Sequence, residues 1–312
     1  MDFDRVVAEH RRELLAHCYR MLGSLHDAED ALQETLVAAW RGAERFEGRS
    51  SVRTWLYRIA THACIRIAER RRPRVLSPEY GPSRRSTDDL GEVVTEQVFI
   101  EPWVEEPVED RYLRREAVEL AFVAALQHLP ANQRAVLILR EVLEFSAAEV
   151  ADLLDTSTAS VNSALQRARK AVDERVSGPP QRDELAALGD DGCRELVDAF
   201  VSAWERADIP DLVGLLARDA RFTMPPLPAW FDGIDAVEGF LTDRLFASSW
   251  RLTPLTANGQ LGFACYQRAV AGGAYALSAV NVLTVRDGRI AEITGFIDPA
   301  VLRFLEFLPA HR

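Results

Sequence analysis

At 312 residues the chain has room for two or three domains, and 48% hydrophobic with 27% charged residues is the composition of a soluble globular protein. No apolar run approaches the roughly 20 residues that cross a bilayer, and the charged, amphipathic start MDFDRVVAEHRREL excludes a secretion signal; no membrane partner and a cytoplasmic location are expected. The net charge of -11 is uneven: residues 1–74 hold 14 Lys and Arg against 11 Asp and Glu, residues 75–112 hold 3 against 10, residues 113–178 hold 8 against 9, and residues 179–312 hold 12 against 18.

The first predicted domain, residues 1–74, is helical by period. In HDAEDALQETLVAAWR, Ala28, Leu32, Leu36 and Trp40 recur four apart and predict an inward stripe. Asp30, Glu34, Val37 and Arg41 occupy the other face. A further helix is predicted from Val52 to Arg72, with Val52, Leu56, Ala60, Ala63 and Ile67 inward and Arg58, His62, Arg66 and Arg70 on a polar face. Pro73 ends it.

Residues 75–112 are rich in Pro, Gly, Ser and acid, and predict an acidic flexible linker. The helical pattern resumes over 113–178, breaking at Pro130. Ser146 with Glu149 forms a capping box before a short apolar face of Ala147, Val150, Ala151 and Leu154. After the TST turn, Val161, Leu165, Ala168 and Val172 predict a second buried face. Two helices joined by about four residues are a helix-turn-helix pattern.

Residues 179–192 predict a second linker. From 193 to 312 helices come first (CRELVDAFVSAWER, PDLVGLLA) and an antiparallel sheet of long strands follows, an α+β domain. Asp287-Gly288 between two alternating runs signals a hairpin, and Gly272-Gly273 marks another turn. Cys18, Cys64, Cys193 and Cys265 are scattered, with no CxxC and no nearby His pair. They predict buried small hydrophobes rather than a metal site or disulfide framework.

Two surfaces carry candidate chemistry. The stripe Arg58, His62, Arg66 and Arg70, extended by Arg71 and Arg72, is either a solvated face or a phosphate reader; Arg offers phosphate a bidentate fork, and Trp55 and Tyr57 nearby offer faces for unpaired bases. The second helix of the helix-turn-helix exposes Ser160, Asn162, Ser163, Gln166, Arg167 and Lys170. Asn and Gln suit adenine edges, Arg guanine, and Lys phosphate.

Taken in order, DAEDALQETLVAAW and FEGRSSVRTWLYRIATHACIRIAERRRPR resemble region 2 of the extracytoplasmic-function (ECF) sigma factors of bacterial RNA polymerase. ALQHLPANQRAVLILREVLEFSAAEVADLLDTSTASVNSALQRARKAV resembles their region 4. The resemblance covers about residues 1–178. It implies that Asp27, Asp30, Gln33, Glu34, Val37 and Arg41 dock on the β′ clamp helices of polymerase core, which also contacts the chain through its β subunit. It implies that the His62 face and the Arg-rich turn read the minus-10 element as single strand, and that the helix from Thr158 to Lys170 enters the minus-35 major groove. The chain departs from the family in having His62 where many members have Asn, and Arg66 where Asp is frequent. The acidic linker would thread the polymerase cleft as a stand-in for nucleic acid.

The C-terminal part resembles the SnoaL-like polyketide-cyclase family, a cone-shaped α+β fold, in AFVSAWERADIPDLVGLLARDARFTMPP and GRIAEITGFIDP. The expected fold class is therefore multidomain: two all-α sigma domains, a region 2 helical bundle and a region 4 helix-turn-helix, plus an α+β SnoaL-like cone-shaped domain. Trp204, Phe222, Met224, Trp230, Tyr266 and Asn281 are either cone packing or the lining of a small-ligand pocket, with Asp298 as a lone carboxylate. No His lies between residues 129 and 310, so acid–base chemistry is poorly supplied; neither catalytic residues nor a cofactor are expected. The expected function is a sigma factor with a C-terminal domain acting in cis. The rivals are a ligand-responsive DNA-binding regulator and a SnoaL-like enzyme tethered to a DNA-binding module.

Overall fold

The computed structural model describes residues 3–48, 50–96, 98–104, 119–176, 178–268 and 273–306. Part of the expected linker (105–112), the start of the second helical segment (113–118), Gly272 of the expected turn and His311 lie outside the described residues. The chain divides into two compact units, Met1–Arg74 with Arg115–Ser177, and Val75–Arg114 with Gly178–Arg312. Among the described residues no helix is long and apolar enough to cross a membrane.

The first unit joins both predicted helical domains. Helices α1 (Phe3–Leu22), α2 (Leu25–Gly42) and α3 (Val52–Ala68) pack against one another around Leu14, Cys18, Tyr19, Leu32, Leu56 and Tyr57. Gly23 at φ +67° turns the chain between α1 and α2, and Ser24 caps α2 by accepting from the Asp27 amide at 3.1 Å. Ser51 caps α3 through the Thr54 amide at 3.0 Å.

The buried stripe of α2 is Ala28, Ala31, Leu32, Thr35 and Ala39, while Trp40, expected inward, is 66% exposed. A step of four residues overshoots a 3.6-residue turn by about 40°, so three steps from Ala28 carry Trp40 about 120° round the helix. In α3, Leu56, Ala60 and Ala63 are buried as expected, whereas Val52 and Ile67 are half-buried. That helix ends at Ala68 rather than Arg72; Arg70 and Arg71 continue only as turns, bonded to the Ile67 and Ala68 carbonyls.

Helices α5 (Leu120–Gln127), α6 (Ala131–Leu137, widening into a π turn over Ile138–Val142), α7 (Ala147–Leu153) and α8 (Thr158–Asp173) complete this unit. The Ser146–Glu149 capping box forms in both directions, at 3.2 and 2.8 Å. Val150, Ala151 and Leu153 are the buried residues of α7; Leu154, expected inward, already leaves the helix and is half-buried. Asp155 at φ +52° makes the sharp turn, and α8 buries Val161, Leu165, Ala168 and Val172 as expected.

The second unit is built on six strands, β1 (Leu216–Thr223), β2 (Trp230–Asp232), β3 (Ser249–Ala257), β4 (Gln260–Arg268), β5 (Ala276–Arg286) and β6 (Arg289–Phe296), in the order β2-β1-β6-β5-β4-β3. The sheet is mixed, not antiparallel: β1 and β6 run parallel because the whole β2-to-β5 stretch serves as their crossover. Asp287-Gly288 forms the expected hairpin with both residues at positive φ, and Asn258-Gly259 forms a second one of the same kind. Helices α9 (Gln181–Glu205), α10 (Ile209–Gly214) and α11 (Ile234–Asp243) accompany the sheet, and α12 (Pro299–Glu306) follows it. The core gathers Phe200, Trp204, Phe222, Phe240, Phe263 and Leu283.

Both predicted linkers turn out to hold structure. Residues 181–192 belong to α9, which turns at Gly189 (φ +71°). Gln181 acts as a strand partner for Val285 at the β5 bulge, donating to its carbonyl at 2.8 Å and accepting from its amide at 2.7 Å. Residues 75–104 contain one helical turn, α4 (Ser77–Tyr80), and otherwise run as a strap bonded to the C-terminal fold. Trp230 Nε1 donates to the Gly81 carbonyl at 2.7 Å, and the Arg84 amide donates to the Trp230 carbonyl at 2.7 Å. Arg244 donates to the carbonyls of Thr87 and Asp88, both at 2.7 Å. Trp103 and Asn258 exchange two bonds of 2.8 Å. Gly, Pro and acid in a sequence thus mark a segment without its own core, and such a segment can still be ordered by a neighbouring surface.

Candidate polymerase and nucleic-acid interfaces

Helix α8 exposes the polar side chains expected on its outer face. Thr158, Ser160, Asn162, Ser163, Gln166, Arg167 and Lys170 are all exposed, on the side opposite its four buried apolar residues. Ser157 caps its N-terminus through the Ser160 amide at 3.2 Å. A helix with a polar outer face and a positive dipole end suits a phosphate-lined groove.

The basic face of α3 is exposed in part and engaged in part. Arg58 donates to Asp155 Oδ1 at 2.6 Å, and His62 donates from Nε2 to the Leu153 carbonyl at 3.1 Å. Both partners lie at the turn between α7 and α8. Arg66 pairs with Glu34 of α2 at 3.3 Å, which joins the expected strand reader to the expected docking face. Arg70 and Arg72 are exposed.

On α2, Asp30, Gln33, Glu34, Val37 and Arg41 face solvent, with Val37 at 48% exposure beside Trp40 at 66%. Asp27 does not. It is buried and holds Arg71 and Arg74, so the expected clamp contact at this position is corrected to an internal ion pair.

A second buried cluster escaped the sequence reading. Arg134 of α6 donates to Gln127 Oε1 at 2.7 Å, to the carbonyls of Gln127 and Leu129 at 2.9 and 3.1 Å, and to the Met21 carbonyl. Gln127 donates to the Arg20 carbonyl at 3.3 Å. These two side chains thereby cap the carboxyl end of α1, where helix carbonyls lack partners and the dipole is negative. Burial lowers the Arg134 guanidinium to about 10. Nothing in ANQRAVLILR distinguishes an Arg that is buried from one that is not. Nearby, Arg53 stacks over Tyr57 and Phe145 while donating to Glu13 Oε2 at 3.0 Å. His17, bonded to Thr61 at 2.9 Å, is pushed down to about 3 by burial and by Arg20 and Arg53.

In the cone, Trp204, Phe222, Met224 and Asn281 are buried, and the Trp204 Nε1 and Asn281 Nδ2 atoms have no hydrogen-bond partner. Trp230 is spent on the strap. Tyr266 pairs with Arg251, on the face opposite Trp250, Leu252 and Cys265, and so does not join the lining. Asp298 accepts from the Ala300 amide at 2.8 Å and starts α12. Glu292, held above the usual carboxylate range by burial, faces Arg221 at 3.5 Å. Among the described residues, no group of His, Cys, Asp and Glu could hold a metal ion.

The family model Sigma-70 region 2 matches residues 6–74, Sigma-70, region 4 matches residues 119–172, and SnoaL-like domain matches residues 197–293. The ECF RNA polymerase sigma factor SigG of Mycobacterium tuberculosis is 43% identical over 307 residues, spanning 95% of this chain and 81% of the relative. The ECF RNA polymerase sigma factor SigW of Bacillus subtilis is 28% identical over 180 residues, spanning 56% of this chain and 88% of the relative. The crystal structure of the Mycobacterium tuberculosis extracytoplasmic function sigma factor SigJ shares the fold, with a TM-score of 0.60 and 23% identity over 94% of this chain and 95% of that one. With two sigma regions in order, a SnoaL-like domain behind them and 43% identity to SigG over 95% of its length, the chain belongs to the ECF RNA polymerase sigma factors.

Proposed function

We propose that the chain binds RNA polymerase core in the cytoplasm and directs promoter-specific initiation. The face of α3 reads the minus-10 strand, and α8 reads the minus-35 duplex. The observation that carries this reading is α8 itself: seven polar side chains of base- and phosphate-reading type are exposed on a capped helix whose other side is locked by four apolar residues. On α2, Val37 and Trp40 surrounded by Gln33, Glu34 and Arg41 form an apolar patch with a polar rim, suited to the clamp helices.

Promoter binding requires this unit to open. The two elements are named for positions about 25 base pairs apart, about 85 Å at 3.4 Å per pair. Here His62 of the minus-10 reader lies 3.1 Å from Leu153, in the helix-turn-helix that carries the minus-35 reader. Both cannot engage one promoter in this arrangement, so core binding must part them. The resting protein thus keeps its strand-reading face against its own helix-turn-helix, and an acidic chain with an occupied basic patch binds free DNA weakly.

The C-terminal domain acts in cis as a regulator, not as an enzyme. Supporting this, Trp230 and Asn258 serve to hold the strap, and Asp298 serves as a helix cap. A strap that must enter the polymerase cleft has first to leave this domain, which makes the domain a brake on holoenzyme formation. Run-off transcription with core polymerase, the full chain and a 1–178 truncation on a promoter library tests the reading. Transcripts from the full chain with core, and none from either alone, are expected; no transcript from any template with any form refutes it.

A further inference from the structure

At one end of the six-stranded sheet, two arginines share a single aromatic ring. Arg251 of β3 and Arg268 of β4 lie over Tyr275, with Cζ 5.1 and 4.8 Å from the ring centroid. Trp250 and Leu252 face the core, so Arg251 between them faces the other way. Ser249 shares that face, and Arg268 stands opposite Ser249 in the ladder. Gln267 pairs with Ala276, which brings Tyr275 beside Arg268. β3 is the last strand of the sheet, and this corner is open: Arg251 is exposed, and Arg268 and Tyr275 are half-buried.

Residues 179–312 hold 12 Lys and Arg against 18 Asp and Glu. In this acidic setting Arg194, Arg206, Arg221 and Arg286 each meet a carboxylate. Among the described residues Arg251 and Arg268 meet no carboxylate and donate to no carbonyl. The stretch AVAGGA, which joins Arg268 to Tyr275, carries no charge either. Two like charges gathered at one ring repel, and the ring face offsets only part of that repulsion. Each Arg keeps a five-donor fork that lacks an acceptor. Such a pair fits an anion with several oxygens, and cationic forks beside an aromatic ring are the elements of a nucleic-acid surface.

Covalent reach decides which nucleic acid. Helix α8 ends at Asp173 and α9 begins at Gln181, so residues 174–180 join them and span at most about 25 Å. With α8 in the minus-35 groove, that tether keeps the C-terminal domain close to the same duplex. Downstream the DNA runs towards the minus-10 reader; upstream it is continuous duplex. We propose that Arg251 and Arg268, held by Tyr275, bind backbone phosphates of the duplex on the upstream side of the minus-35 element. The C-terminal domain thereby makes a third promoter contact. At physiological salt two local charges act over only about 8 Å, so an acidic domain gains this contact only after α8 has docked. The inference rests on the reading of α8 as the minus-35 helix.

The test titrates holoenzyme, assembled from core polymerase and the full chain, with two promoter fragments over a range of salt. One ends at the minus-35 element, and the other continues upstream for about 15 base pairs, one and a half turns of duplex. The extended fragment is expected to bind about tenfold tighter. Arg251→Ala together with Arg268→Ala removes that gain. It also reduces the slope of log K against log salt by about 1.8 on the extended fragment, the share of two phosphates, and leaves the short one unchanged. Arg251→Lys with Arg268→Lys keeps the charge, loses the forks and recovers only part of the gain. Should the double Ala variant fail to fold, Arg251→Ala at its exposed site decides alone, with a slope change of about 0.9. Three results overturn the proposal: no gain in the wild type, an undiminished gain in the folded variants, or a loss of core affinity instead of DNA affinity, which would make an acidic protein surface the partner. A wild-type holoenzyme indifferent to scrambling of the minus-35 sequence refutes the reading of α8 and the proposal with it. That outcome is told apart because it involves neither arginine.

Discussion

Replacing Gln127 by Met probes what holds the two sigma regions together. Met has nearly the volume of Gln and no charge, so long-range attraction to DNA stays the same. In the joined state the Arg20 carbonyl loses its donor at 3.3 Å, and Arg134 loses the Oε1 acceptor at 2.7 Å. A buried polar group that loses a partner costs about 1–3 kcal/mol. The bond to Arg20 is long, and Arg134 retains three carbonyls, so both losses belong at the low end, about 2 kcal/mol together. In the parted state water replaces both, and the equilibrium shifts about 30-fold towards opening. The more visible Arg58–Asp155 pair is 45% and 64% exposed and contributes at most about 1 kcal/mol, so Asp155→Asn shifts the equilibrium no more than about fivefold. Single-molecule energy transfer between dyes on Glu9→Cys and Glu174→Cys, with Cys193→Ser, reads the two populations directly. The expected result is a low-transfer population that grows in Gln127→Met, and that dominates in the wild type once core polymerase is added. A folded Gln127→Met protein with an unchanged transfer distribution, or an Asp155→Asn protein that opens as far, would refute the buried joint as the clasp.

Three further perturbations have defined outcomes. His17 titrates near 6.5 when unfolded and near 3 in the fold, so its contribution is complete above pH 6.5 and is lost as pH falls towards 3. Stability from urea unfolding should drop about 2 kcal/mol between pH 7 and pH 5 from this residue, and His17→Gln should remove that part of the slope. Trp40→Ala should weaken core polymerase binding about 30-fold in a competition assay, as an aromatic anchor does, while its exposure keeps the stability change within about 0.5 kcal/mol. Trp230→Phe deletes the 2.7 Å bond to Gly81, a loss of about 1 kcal/mol, and should speed hydrogen exchange at the Arg84 and Val94 amides, which donate to the Trp230 and Pro226 carbonyls; unchanged exchange would show that the indole bond does not hold the strap.

Local pattern was enough to identify the buried face of α8, the Ser146 capping box, the Asp287-Gly288 hairpin and the exposed polar side chains of α8, because each depends on residues a turn or a strand apart. The same rule misplaced Trp40 once it was run over three turns at a step of four. Asn258-Gly259 carried a hairpin signal as strong as Asp287-Gly288 and was readable from the chain. Other features had no local signature. The burial of Asp27, the capping of α1 by Arg134 and Gln127, the closure of His62 on Leu153 and the docking of residues 75–104 each join groups far apart in sequence. Helix and strand periods say which way a side chain points from its own backbone. Which surface it then meets is set by how distant segments bury their apolar faces against one another, and that is decided only in three dimensions.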